Sequence, residues 1–98
     1  MMNRTPHPGA HLRARFADLE VTATAAAKSL KLNRVTLARV LTGRASLTPN
    51  IAARLHLAFG IPIAESLAWQ SAYDNHVARR LATSMKLRRY NPANKRTT

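Results

Sequence analysis

The chain has no cysteine, which excludes disulfides and thiolate-held metal. It has only four acidic residues, and none forms a pair at the spacing that general acid–base chemistry needs. Four histidines are scattered along it. Ser, His and Asp all occur, but no serine is framed by a nucleophile turn, so no catalytic residue and no cofactor is expected, and the protein reads as not an enzyme. His7 and His11 lie four apart, yet Pro8 and Gly9 sit between them and no third ligand is near, so no metal site is expected. Glycines number three and aromatics make up 5% of the residues, a scarcity that favours an all-α domain in an Ala- and Leu-rich chain. No apolar run approaches the roughly 18 residues of a membrane helix, and no signal-peptide core precedes a cleavage site. The expectation is a soluble, cytoplasmic protein.

Basic charge is what the chain has in excess. Sixteen Lys and Arg against four Asp and Glu leave a net charge of +12 in 98 residues, and such an excess points to a polyanionic partner, most often nucleic acid. Membrane-surface binding would need a basic amphipathic helix with bulky apolar residues opposite, and few are to spare. The apolar content, 46%, suffices for one modest core.

Five helices follow from periodicity and stop signals. The first covers about Gly9 to Asp18, with Leu12 and Phe16 on one face. Thr22 caps the second, an Ala-rich run closed by Leu30 and Leu32. Asn33 caps the third, which turns Leu37, Val40 and Leu41 inward and stops at Gly43. Thr48 and Pro49 open the fourth, whose buried stripe is Ile51, Leu55, Ala58 and Phe59, with Gly60 at its end. The fifth starts near Pro62 and runs to the early eighties, with Ile63, Leu67, Gln70, Val77 and Leu81 at helical period. This organises the chain as a flexible lead-in over 1–8, a helical domain over 9–83 and a basic, disordered tail over 84–98. Leu67, Trp69, Tyr73 and Val77 are candidates for a dimer interface on the long last helix, or for completing the core of the protomer.

The centre of this pattern is the stretch 22–46, two short helices with a tight joint and then a Gly-Arg turn. It carries Lys28, Lys31, Arg34, Arg39 and Arg44 and no acid. That makes it a candidate helix-turn-helix, a unit that places its second helix in the DNA major groove.

Further strings sharpen this. They are His7-Pro8-Gly9 with Leu12-Arg13, Arg34-Val35-Thr36-Leu37-Ala38-Arg39-Val40-Leu41 with Gly43-Arg44, Leu47-Thr48-Pro49 with Ala52, Arg54 and Leu55, Ala58-Phe59-Gly60, and Gln70-Ser71-Ala72-Tyr73-Asp74. On these residues the segment 7–77 resembles the phage-repressor-like (XRE) domain, and more narrowly the HigA-type antitoxins. The resemblance implies a five-helix bundle that dimerises, binds a palindromic operator in double-stranded DNA, represses its own operon and neutralises an RNA-cleaving toxin. It implies that Arg34, Val35, Thr36 and Arg39 face base edges. It also implies that Thr22, Thr24 and Lys28, with Arg44 and Ser46, contact phosphates, which position a domain without reading sequence. Arg54, on the fourth helix, reads as structural. Lys31 stands where the family has glycine, so the turn either holds a lysine at positive φ or adjusts. A stand-alone repressor without a toxin, and a nonspecific nucleic-acid-binding protein, are the alternatives.

Overall fold

The structure, a computed structural model, describes residues 5–92. Five helices follow in order: α1 (Pro8–Asp18), α2 (Ala23–Leu30), α3 (Arg34–Leu41), α4 (Pro49–Phe59) and α5 (Ile63–Ser84), with no strand among the described residues. The all-α, five-helix fold expected from the sequence is the fold observed.

The caps are those expected. Thr22 Oγ1 accepts from the Ala25 amide at 3.1 Å, Asn33 Oδ1 from Val35 at 2.7 Å, and Thr48 Oγ1 from Ile51 at 3.3 Å. Each satisfies an amide that has no partner inside its helix, a contribution of about 1 kcal/mol. The stops after α1 to α4 are left-handed residues. Gly43 (φ 81°) and Gly60 (φ 70°) adopt that conformation freely, but Glu20 (φ 57°) and Lys31 (φ 55°) adopt it as well. At Lys31 the turn closes through Lys31 N–H to Lys28 O and Leu32 N–H to Ala27 O, at 3.1 and 2.9 Å. The same paired bonds end α1, from Glu20 to Ala17 and from Val21 to Phe16. Of the two alternatives for the joint between α2 and α3, the chain therefore takes the first. Lys31 holds the positive φ.

The core draws Leu12 and Phe16 from α1, Ala26, Ala27 and Leu30 from α2, and Leu37, Val40 and Leu41 from α3. Leu47, Ile51, Ala52, Leu55 and Ile61 complete it, and Phe16 and Phe59 meet at 5.3 Å between ring centres. α1 packs on α3 and α5, and α2 on α3 and α4. The alanines let the backbones come close. One expectation fails on α4: Ala58 is exposed and Ala52 is buried instead. The buried arc of α4 is centred on Leu55, between the directions of Ile51 and Ala52. Ala58 falls at its edge and opens onto a shallow hollow beside Ser29 and Lys31.

α5 changes character along its length. Its first half packs Leu67 and Trp69 against the core and buries Ser66, whose hydroxyl donates to Ile63 O at 3.2 Å. Beyond Val77 every described residue is exposed, and the helix ends at Ser84. Residues 85–91 are irregular, and 93–98, the end of the basic tail, lie outside the described residues. At the other end Thr5, Pro6 and His7 lie along α5, and Pro8 is buried as the first residue of α1; residues 1–4 are outside the described set. No helix among the described residues is long and apolar enough to cross a membrane.

Candidate nucleic-acid interface

α3 presents a fixed outer face because its inner face and both ends are held. Leu37, Val40 and Leu41 anchor it in the core. Its C-terminus abuts the start of α1 so closely that a β-carbon at Gly9 would collide with the carbonyls of Val40 and Leu41. Only glycine fits there, whatever its backbone angles. Arg13 of α1 donates a hydrogen bond to Leu41 O, one of the carbonyls left without an intrahelical partner. Thr42 Oγ1 donates to Ala38 O at 2.8 Å.

The turn after α3 is tied to α5. Gln70 Oε1 accepts from the Leu47 amide at 2.7 Å, and Gln70 Nε2 donates to Asp74 Oδ1 at 2.9 Å. The His7 ring lies against Gly43, where a β-carbon would come within 2.9 Å of it, and meets Tyr73 edge-on at 6.3 Å. The end of α2 is tied to α4. Arg54 Nη1 donates to Leu30 O at 2.8 Å and to Lys31 O at 3.3 Å, while its Nε donates to Asn50 Oδ1 at 2.7 Å. The structural reading of Arg54 holds, and its task is to cover the last carbonyls of α2 next to the left-handed lysine.

On this frame Arg34, Val35, Thr36 and Arg39 are all exposed on one face of α3, Val35 by 66%. Thr22 and Thr24 at the start of α2, Lys28 further along it, and Arg44 and Ser46 in the turn after α3 are exposed as well. Thr22 uses an oxygen lone pair in its cap and keeps its hydroxyl proton free to donate. Among the described residues, the side chains of Lys28, Arg34, Arg39 and Arg44 make no hydrogen bond or ion pair with the protein, whereas those of Arg13, Arg15, Arg54 and Arg79 all do. A row of uncommitted guanidinium groups on an immobilised helix can grip planar acceptors such as guanine O6/N7 or phosphate oxygens.

The residues expected at a dimer interface divide. Leu67 and Trp69 are half-buried inside the protomer, and Trp69 stacks on His11 at 4.9 Å with Arg15 over it at 5.7 Å. Tyr73 and Val77 line an open groove of about 910 Å³, together with Thr5, His7, Arg80 and Leu81. His7 and His11 thus serve in packing. No group of three or more potential metal ligands occurs among the described residues. Sequence reasoning missed the supporting bonds of Arg13 and Gln70 and the collision at Gly9. All three are contacts between distant segments, with no local signal.

No family model matches the sequence, and no curated protein matches it. Solved structures do. An antidote protein of a plasmid maintenance system from Nostoc punctiforme is 28% identical, with 83% of this chain and 89% of that one covered and a TM-score of 0.77. An addiction-module antidote protein of the HigA family from Coxiella burnetii is 26% identical, covers 88% of this chain and all (100%) of its own, and has a TM-score of 0.72. The chain is thus similar in sequence and in fold to these two antidote proteins. A Pseudomonas aeruginosa antitoxin HigA, solved with the higBA promoter, superposes over 85% of this chain and 97% of its own with a TM-score of 0.73. At 21% identity, that last likeness to a HigA is one of fold.

Proposed function

We propose that the protein is a cytoplasmic, non-enzymatic antitoxin of a HigBA-type module. It binds a palindromic operator as a homodimer, represses its own operon and neutralises an RNA-cleaving toxin. The observation that carries this reading is the set of uncommitted cations on the outer face of a helix whose own ends are fully tied down, within a fold shared with HigA-family antidote proteins.

Arg34 and Arg39 face base edges, and each bidentate contact to guanine discriminates against a wrong base by about 1–3 kcal/mol. Val35 and Thr36 offer methyl groups to a thymine. Thr22, Thr24, Lys28, Arg44 and Ser46 hold phosphates on either side. A second copy covering Tyr73, Val77 and Leu81 sets two α3 helices about 34 Å apart, one turn of DNA.

Fluorescence titration of the protein on the DNA upstream of its own gene tests this. Site-selective binding is expected, lost in Arg34→Ala plus Arg39→Ala. Binding that ignores sequence and is unmoved by that double substitution would overturn it. Co-purification with the product of an adjacent small gene tests the antitoxin role, and a repressor that retains no such partner is a stand-alone one.

A further inference from the structure

The groups placed on α2 and α3 account for only part of the positive charge. From Asn75 to the C-terminus the chain has seven Lys or Arg and no Asp or Glu. Arg80, Lys86, Arg88 and Arg89 are all exposed, and among the described residues their side chains make no hydrogen bond or ion pair with the protein. Cations near a helix C-terminus often complement its dipole. Here the last turn of α5 contains no basic residue, so that role does not explain them. The preceding acid, Asp74, is engaged with Gln70.

Their placement is informative. α5 is fastened to the turn that follows α3 by the Leu47–Gln70 bond, and by the His7 ring that touches Gly43 and Tyr73 together. Beyond that root the helix runs on into its exposed second half. From Tyr73 to Ser84 it advances about 16 Å at the usual helical rise. The irregular segment to Arg89 can add roughly 17 Å more. The stretch that carries the basic segment thus starts at Tyr73, beside Arg44 and Ser46, and its length to Arg89 is about that of one turn of duplex.

We infer that Arg80, Lys86, Arg88 and Arg89 form a second, sequence-blind DNA contact, an arm that neutralises phosphates of the duplex flanking the operator. This rests on the operator-binding reading above. The arm adds affinity and salt dependence and leaves base selection to α3.

The test uses the full-length chain and two duplexes carrying the same upstream site. One is trimmed to the site, and the other is extended by about 10 bp on each side; a scrambled duplex of the longer length serves as reference. Each is titrated over a range of salt with wild type and with the variant Arg80→Gln, Lys86→Gln, Arg88→Gln, Arg89→Gln. On the extended duplex, where a dimer brings two arms, the variant loses up to about 7 units of the slope of log K against log salt, from eight phosphate contacts at roughly 0.9 each. Its affinity falls tenfold or more, while its preference for the site over the scrambled duplex is unchanged. On the trimmed duplex it matches wild type. An unchanged slope on the extended duplex overturns the arm and leaves the repressor reading standing. So does a variant that binds DNA normally and instead fails to hold a protein partner. If wild type shows no preference for its site, the repressor reading falls, and the arm is judged on the scrambled duplex by the same loss of slope.

Discussion

The outer face of α3 and the second half of α5 are both exposed and both basic, yet they are held in opposite ways. α3 is eight residues long, with three of them buried. Its start is capped by Asn33, and its end is pressed against Gly9 and bonded by Arg13. Among the described residues, α5 beyond Val77 has no buried member, and the lead-in segment lies along its groove. A side chain that must match donors to a particular base edge needs a root fixed to a fraction of an ångström. One that only has to neutralise phosphate tolerates a loose root. The two regions carry similar chemistry at different rigidity, and rigidity is what separates reading from holding.

The largest expected effect breaks the anchored side. Leu37→Ala empties a site that is 1% exposed in the centre of α3 and should cost about 2–5 kcal/mol. The matching change on α5, Leu81→Ala at a residue that is 49% exposed, should cost well under 1 kcal/mol in the protomer. Thermal melts of both variants at several protein concentrations check the pair. A Leu81 loss that grows with concentration would report burial of that face by a second copy. Next is Arg54→Ala, which uncovers the Leu30 and Lys31 carbonyls. A loss of about 1–2 kcal/mol in urea unfolding is expected, with the salt slope of DNA binding unchanged. A fall in that slope would place Arg54 among the phosphate contacts instead. The last effect is a gain. Lys31→Gly removes a side chain from a left-handed position and should stabilise by about 1 kcal/mol. If it weakens DNA binding while raising the melting temperature, Lys31 is retained for its charge.

Most of the architecture was legible because the chain marks its helices locally. Thr22, Asn33 and Thr48 cap, Pro49 starts, Gly43 and Gly60 stop, and the structure uses each in that way. The stop at Glu20 was not legible, because nothing about a glutamate announces a left-handed residue; Val21 docking on the core is what pulls the chain round. Ala58 was misplaced because an alanine at the edge of a stripe carries too little apolar surface to decide its own side. The outward row on α3 was readable from spacing, since the inward residues Leu37, Val40 and Leu41 define the opposite face. The bonds that hold that row still join residues 23 to 28 positions apart, as in Gln70 to Leu47, Arg54 to Leu30 and Arg13 to Leu41. Such contacts exist only once the helices have packed.

The seam between α1 and α5 has an optical consequence. Trp69 is the single tryptophan of the chain, and it lies flat against the His11 ring with Arg15 over it. Its emission therefore reports whether α1 is docked on α5, and it lies away from the solvent-facing row on α3. Intrinsic fluorescence can follow unfolding, while a labelled duplex follows binding in the same cuvette, two channels with no added reporter on the protein.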